Sequence, residues 1–150
     1  MKIAYQGVSG SYSESCAKKM YPYSETIACK TFDECFERAS ENSEIRAIIP
    51  ESNKTTGNIG VEYLIFKYRL NIYAEHFFPI NHNLLGVKGS KLQDIKDVYS
   101  HAQALSQSSN FIKKNNLNEN VRADTAGSAK FVSEARDKSK AAIASNLSAE

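Results

Sequence analysis

The sequence predicts an α/β fold made of two small lobes with mainly parallel sheets and flanking helices. Short apolar runs alternate with segments whose apolar residues recur at helical spacing, the pattern of strands joined by helices. The predicted order is βαβαβ, then a crossing strand, then βαβα. A polar interruption at 81–83 falls where the chain would pass between lobes. We therefore predict lobe 1 over 1–78 and lobe 2 over 79–150.

Composition excludes several classes of function. The 150 residues carry a formal net charge of +2, without the basic block expected of a nucleic-acid partner. No apolar run approaches the roughly 20 residues that a membrane span needs. The chain opens directly on a strand, so neither a signal peptide nor a membrane partner is expected.

The sequence also lacks the spacings of cysteine, histidine and glycine residues that are typical of metal and cofactor sites. The three cysteines lack CxxC spacing and are predicted to be reduced thiols of a cytoplasmic protein. The histidines lack metal-ligand spacing, and there is neither a P-loop nor a dinucleotide fingerprint. We therefore predict no metal and no cofactor.

Lobe 1 is predicted to begin with strands over 3–5, 26–29 and 45–49. Thr31 is placed to cap the helix after the second strand, with Glu34 completing a capping box. The third strand is apolar at nearly every position, which is typical of a strand covered on both faces.

The turn after the first strand, 6–13, is rich in glycine and serine. Gly7 and Gly10 can adopt backbone angles that bring N–H groups close to a ligand, and Ser11 or Ser13 can cap the following helix. A tight turn without a ligand is the alternative.

The polar loop at 51–58 follows the third strand. Ligands of open α/β sheets bind at the carboxyl ends of strands. Asn53, Thr55 and Thr56 supply uncharged hydrogen-bonding groups there, and Lys54 is able to pair with a carboxylate. A solvated connection explains the same residues equally well.

The rest of lobe 1 is predicted to be a helix over 59–68 and a long strand over 70–78. Tyr63, Leu64 and Phe66 of that helix are expected to lie in the core.

Lobe 2 contains the segment around which the rest is arranged. An apolar strand ends at Tyr99, Ser100 follows at a turn, and a helix is predicted to run to Lys113. Gln103 and Gln107 are four residues apart and share a helix face. Free N–H groups at the helix start would form an anion site surrounded by neutral polar side chains. The alternative is a Ser100 N-cap followed by a solvated glutamine face.

Further polar groups occur at other boundaries of lobe 2. Strands are predicted over 121–123 and 141–144. Thr125 and Ser128 place hydroxyls at the start of the helix between them. His82 is interpreted as a structural hydrogen-bonding group rather than a base.

Several strand-to-helix turns thus offer Ser, Thr, Asn or Gln, and none offers a nucleophile with a base. This arrangement suits a small polyanion held by neutral donors and helix ends. Two functions fit: a solute-binding module, or an enzyme whose reaction needs only placement and electrostatics.

Several longer motifs follow one another along the chain. The motif S-H-x-Q-A-L-x-Q is complete at 100–107, and P-I-x-H-x-L-L is intact at 79–85. T-A-x-x-A stands at 125–129, and A-A-I-A-S at 141–145.

Two more motifs are present with substitutions. The turn G-P-x-G-T/S-F/Y-S stands at 7–13 with Val8 in place of proline. The loop P-I-E-N-S-x-x-G stands at 50–57 with Ser52 and Lys54 at its Glu and Ser positions. With these motifs in this order, the chain resembles the prephenate dehydratase family over essentially all of its length.

The resemblance implies a fold like that of type II periplasmic binding proteins, with prephenate in the cleft between lobes. It implies conversion of prephenate to phenylpyruvate with loss of CO2 and water, a step of L-phenylalanine biosynthesis. It also implies a set of substrate-binding residues: Ser11, Ser13, Asn53, Thr55, Ser100, Gln103, Gln107 and Thr125.

The family's catalytic threonine lies in a T-R-F motif that would follow Glu150, as would a regulatory ACT domain. We therefore expect these 150 residues alone to turn over substrate poorly. A homodimer is expected for the full-length protein. Ser52 and Lys54 depart from the family motif at positions able to change substrate choice, and arogenate is the alternative substrate. The alternatives are therefore an arogenate dehydratase and a non-catalytic small-anion-binding domain of the same fold.

Overall fold

A computed structural model of the chain describes residues 1–54 and 57–149. They divide into two units. Unit 1 comprises Met1–Val8 and Tyr12–Pro79, and unit 2 comprises Ser9–Ser11 and Ile80–Glu150. Among the described residues, no helix has the length and apolar character needed to cross a membrane.

Unit 1 contains a parallel three-stranded sheet in the order β2-β1-β3. Its strands are β1 (Lys2–Gln6), β2 (Glu25–Cys29) and β3 (Ile45–Ile48). The central strand β1 is the one covered on both faces, since Ile3 and Ala4 are both fully buried. The apolar β3 lies at the sheet edge and is only half-buried, so the prediction of two covered faces for it is wrong.

Two helices connect these strands, α1 (Tyr12–Met20) and α2 (Phe32–Glu41). As predicted, the Thr31 hydroxyl caps α2 and accepts from the Glu34 N–H at 3.1 Å. The Glu34 carboxylate accepts from the Lys30 N–H, 2.8 Å away and one residue earlier than a regular capping box requires.

The polar loop after β3 forms a small hairpin. Strands β4 (Ser52–Asn53) and β5 (Gly57–Asn58) pair antiparallel, with Asn53 opposite Gly57. Thr55 and Thr56 lie outside the described residues.

Helix α3 (Glu62–Lys67) is shorter than predicted. Leu64 is buried against α2 as expected, but Tyr63 is 65% exposed and Phe66 82% exposed. The prediction that both aromatic rings lie in the core is therefore wrong. The helix ends just before Arg69, which adopts a left-handed conformation (φ 52°). Only the face that carries Leu64 packs against α2.

The long strand predicted over 70–78 is absent. These residues have no regular secondary structure, and almost all of them are exposed. Their alternating apolar pattern is that of a strand, but a strand requires a pairing partner, and within the described residues none lies beside them.

Unit 2 contains a four-stranded sheet in the order β6-β9-β7-β8. Its strands are β6 (Asn83–Gly86), β7 (Asp97–Ser100), β8 (Asn118–Val121) and β9 (Lys140–Ala144). Strands β7, β8 and β9 are parallel, whereas β6 runs antiparallel to β9. Strand β8 ends where the sequence predicted it to begin, at Val121.

Three α-helices cover the two faces of this sheet: α4 (Ala102–Gln107), α5 (Ser109–Lys114) and α6 (Thr125–Ala135). Ala141 and Ile143 of β9 pack with the α4 and α5 side chains, and Ala142 and Ala144 pack with α6. This alternation follows from the period-two geometry of a strand. The single helix predicted up to Lys113 is interrupted at Ser108.

Candidate functional site

The polar residues of unit 2 gather at one edge of its sheet. Because β7, β8 and β9 are parallel, their last residues, Ser100, Val121 and Ala144, lie at the same edge. The antiparallel β6 begins there too, with Asn83 opposite Ala144. We call this the carboxyl edge of unit 2. It is the edge at which α/β sheets bind ligands.

Ser100 is fully buried at this edge. Its hydroxyl donates to the Ile143 carbonyl at 2.5 Å, which connects β7 to the neighbouring β9. Ser100 is not the N-cap of α4, contrary to the alternative interpretation of the sequence. His101 is the cap, and its Nδ1 accepts from the Gln103 N–H at 3.3 Å.

Gln103 and Gln107 both lie on α4, as predicted. Gln107 Oε1 is 2.6 Å from Nε2 of His82, which precedes β6. An amide oxygen only accepts, so His82 donates this hydrogen bond from Nε2. The contact agrees with the interpretation of His82 as a structural hydrogen-bonding group.

Thr125 is the first residue of α6 and is half-buried. The Asp124 carboxylate caps this helix and accepts from the Gly127 N–H at 2.6 Å. Ser128 is fully buried, and its hydroxyl donates to the Asp124 carbonyl at 2.7 Å. Of the two hydroxyls predicted at this helix start, Ser128 therefore has a structural role. The Asp124 carboxylate places a negative charge at the start of α6, which disfavours an anion there.

The turn around Gly10 belongs to unit 2. The hydroxyls of Ser145 and Ser148 donate to the Gly10 carbonyl at 2.5 and 2.8 Å. Gly10 has φ +89°, and a Cβ there would lie 2.9 Å from the Ser148 hydroxyl oxygen, so the turn requires glycine. Ser11 is thereby held in the same unit as Ser100 and Thr125.

Two of the other predicted residues lie in unit 1. Ser13 is the second residue of α1 and Asn53 ends β4, and both are half-buried. Burial raises the pKa of the neighbouring Tyr12 to about 12, so its phenol stays neutral at physiological pH. Thr55, the last predicted residue, lies outside the described residues.

Arg122 is a candidate that the sequence analysis missed. It directly follows β8, and its N–H donates to the Ser100 carbonyl at 2.8 Å. Its guanidinium carbon lies 4.2 Å from the centre of the Phe131 ring. Arg122 thus adds a cation to an edge that carries neutral side chains and the Asp124 carboxylate. The sequence analysis missed it because the predicted strand over 121–123 placed Arg122 inside the strand, whereas β8 ends one residue before it.

The sequence matches the family model for prephenate dehydratase over residues 3–150. The chain belongs to the prephenate dehydratase family. It is 41% identical over 146 residues to arogenate dehydratase 2 of Petunia hybrida, covering 97% of this chain and 37% of that protein. The chain thus spans about two fifths of the length of the curated relatives it matches.

Solved structures agree with the fold. GqqA, described as a novel type of quorum quenching acylase, matches 99% of this chain and 55% of its own chain, with a TM-score of 0.91 and 32% identity. A prephenate dehydratase from Arthrobacter aurescens in complex with L-Phe matches 99% of this chain and 51% of its own, with a TM-score of 0.88 and 23% identity. The predicted family and the predicted α/β fold of the type II periplasmic-binding class are both confirmed.

Proposed function

We propose that this chain is the substrate-binding part of a prephenate dehydratase, which converts prephenate to phenylpyruvate in L-phenylalanine biosynthesis. The observation that carries the proposal is the carboxyl edge of unit 2, where Ser100 ends β7, the motif residues Gln103 and Gln107 follow on α4, and Thr125 begins α6. Family membership over 3–150 supports it. The lobes that we propose for the domain are 1–78 and 79–150.

The conversion of prephenate to phenylpyruvate suits a site whose hydrogen-bond donors are uncharged. Prephenate is a dianion, and the reaction consumes one proton to give the phenylpyruvate monoanion, CO2 and water. The ring carboxylate leaves as CO2 while the ring hydroxyl leaves as water, so the site must stabilise two negative charges and deliver a proton to the hydroxyl. Amide and hydroxyl donors hold the anion without forming the strong ion pair that would keep the departing carboxylate charged.

The proposed substrate-binding residues are those that the resemblance implies, namely Ser11, Ser13, Asn53, Thr55, Ser100, Gln103, Gln107 and Thr125. We add Arg122 as a charged group for the side-chain carboxylate of the substrate, because it follows β8 at the same edge.

Arogenate is the alternative substrate, since the Petunia relative is named an arogenate dehydratase. Arogenate carries an amino group where prephenate carries a keto group, so its dehydration yields phenylalanine instead of phenylpyruvate. Lys54, in the turn between β4 and β5, adds a positive charge that would disfavour an ammonium group nearby. We therefore propose prephenate as the preferred substrate.

The test measures binding and product separately. Titration calorimetry of the chain with prephenate and with arogenate gives the two affinities, and chromatography of the mixtures identifies phenylpyruvate or phenylalanine. Gln107→Leu is expected to weaken prephenate binding about tenfold or more, because a hydrogen bond to a charged group is lost. Gln93→Leu is the matched control: it replaces an exposed glutamine in the 3-10 helix Leu92–Asp94, before β7 and away from the carboxyl edge.

Failure of both acids to bind would overturn the proposal, as would equal affinities of the Gln107 and Gln93 variants. Because GqqA is described as an acylase, the same samples are assayed for cleavage of an acyl amide. Cleavage without prephenate binding would assign the chain to that activity instead. Homodimerisation of a full-length protein and a cytoplasmic location stay predictions.

A further inference from the structure

The Gln107 side chain has two ends of opposite polarity, and only one of them attracts an anion. Its amide accepts hydrogen bonds at Oε1 and donates them from the NH2 group, and the torsion that exchanges the two ends has a broad, two-fold preference. Gln107 is exposed at the end of α4. Packing against the core therefore does not choose between the two orientations.

The contact with His82 selects one orientation. Gln107 Oε1 lies 2.6 Å from His82 Nε2, and the imidazole is the donor because an amide oxygen only accepts. This hydrogen bond engages Oε1, so the NH2 group on the other branch of the planar amide is the end that Gln107 presents to an anion. A neutral imidazole makes the bond only in the tautomer that carries its proton on Nε2.

Both partners of this contact lie on elements fixed to the same sheet. His82 directly precedes β6, which pairs with β9. The Asn83 side chain donates to the Asn81 carbonyl at 3.2 Å, a hydrogen bond that spans the His82 backbone. On the other side of the contact, Ala104 and Leu105 are buried in the core and hold α4 on the sheet.

A donor of fixed orientation contributes more to anion binding than one that alternates between two orientations. Donors that already point to where the negative charge will lie need no reorganisation when the ligand binds. Without His82, the Gln107 carbonyl oxygen would face the anion in part of the molecules and repel it. The NH2 end also serves a keto oxygen, whereas an ammonium group, which only donates, gains nothing from it.

We infer that His82 is a positioning residue whose Nε2–H holds the Gln107 amide with its NH2 group presented to the anionic substrate. The inference rests on the proposed function, because it concerns the orientation of one of the proposed substrate-binding residues. His82 acts through Gln107 and need not touch the substrate.

The first experiment is nuclear magnetic resonance of the ¹⁵N-labelled chain without ligand. Long-range ¹H–¹⁵N spectra distinguish the two neutral imidazole tautomers, and the His82 signals are assigned by their loss in His82→Gln. The neutral ring is expected to carry its proton on Nε2. His82→Leu is expected to shift the side-chain NH2 resonances of Gln107, whereas the control His76→Leu, which replaces an exposed histidine of unit 1, should leave them in place.

The second experiment measures the affinity for prephenate by titration calorimetry. His82→Leu is expected to weaken binding about three- to tenfold, the range expected for loss of one hydrogen bond. In the Gln107→Leu background the same replacement should change the affinity less than about twofold, because the amide that His82 orients is gone.

Two conservative variants and a control separate orientation from packing. His82→Gln is expected to restore part of the affinity, since its amide nitrogen reaches the position of Nε2. His82→Asn has a shorter side chain that reaches only the position of Nδ1, and should bind as weakly as His82→Leu. His76→Leu should bind as the wild type does, and circular dichroism checks that each variant is folded.

The outcomes distinguish this inference from the proposed function. A neutral His82 ring protonated on Nδ1, or equal affinities of the wild type and His82→Leu, would overturn the inference and leave the proposed function standing. A loss of affinity that is the same with and without Gln107 would also overturn it. Failure of the wild type to bind prephenate would overturn the proposed function and, with it, the role given to His82.

Discussion

Ser100 shows how one side chain can belong to a binding motif and also hold the sheet together. It ends β7 inside the motif that carries the family resemblance, yet its hydroxyl donates a hydrogen bond to the Ile143 carbonyl of the neighbouring strand β9. The hydroxyl oxygen can still accept a hydrogen bond, whereas donation to a substrate would break the link to β9. We therefore expect Ser100 to position the start of α4 more than to hold the anion.

Replacing Ser100 by alanine is expected to lower the free energy of unfolding by about 1–3 kcal/mol, because the buried Ile143 carbonyl loses its donor. Urea denaturation followed by circular dichroism measures it. Ser106→Ala, an exposed serine on α4, is the control and should change the free energy by less than about 0.5 kcal/mol. Equal effects of the two substitutions would show that the buried hydrogen bond contributes nothing.

Local rules predicted some residues well and others poorly. Thr31 caps α2 as predicted, because capping depends on neighbours within three residues. Ser100 was also a possible cap, but pairing with Val121 of β8 keeps it in the strand and moves the cap to His101. The strand partner that determines the role of Ser100 lies more than twenty residues away in the sequence. The residues next to Ser100 therefore do not predict which residue caps α4.

At the scale of elements, one carboxylate of α2 binds the end of α3, beside the apolar contact that Leu64 makes with α2. Asp33 of α2 accepts from Lys67 Nζ at 2.6 Å and from the Tyr68 hydroxyl at 2.7 Å, at the end of α3. These hydrogen bonds hold the pKa of Asp33 below its usual value. This contact therefore holds the C-terminal end of α3 against α2.

The sign of the pH effect follows from that lowered pKa. A carboxyl group with a lower pKa in the folded state adds stability above its unfolded pKa of about 3.9, and the contribution is lost as pH falls through the folded pKa. Asp33→Asn is therefore expected to be less stable than the wild type at pH 7, with the difference shrinking below about pH 4. Urea denaturation at several pH values measures it.

Glu37→Gln is the matched control for Asp33→Asn, since it removes an exposed carboxylate from the same helix. Its stability relative to the wild type should show little change across the same pH range. A difference between wild type and Asp33→Asn that stayed constant down to pH 2 would contradict the assigned role of the carboxylate.

At the scale of the whole molecule, each unit has its own core. The two buried thiols lie in unit 1, where Cys29 of β2 and Cys35 of α2 pack with Ala4 of the central strand. Burial raises the pKa of Cys35 and of the half-buried Cys16, so the reactive thiolate is scarce near neutral pH. The rate at which the thiols react with a reagent therefore reports whether Cys29 and Cys35 remain packed against the sheet of unit 1.

We expect an aromatic disulfide reagent at pH 8 to react slowly with the native chain and rapidly with all three thiols after denaturation. Cys16→Ser should remove most of the native-state reaction, because Cys29 and Cys35 are at most 1% exposed. Absorbance of the released thiol measures both phases. Rapid reaction of three thiols in the native chain would contradict the packing of unit 1.

The sequence by itself determined the alternation of strands and helices, the Thr31 cap and the order of the family motifs. Each depends on spacing within a few residues or on motif order along the chain. Only the tertiary structure decided that β1, not β3, is the covered strand and that Ser100 donates to Ile143. It also decided that 71–78 pairs with no other strand of residues 1–54 and 57–149. These outcomes depend on which segments become neighbours, because strand pairing and burial are properties of two segments and an amphipathic pattern describes only one.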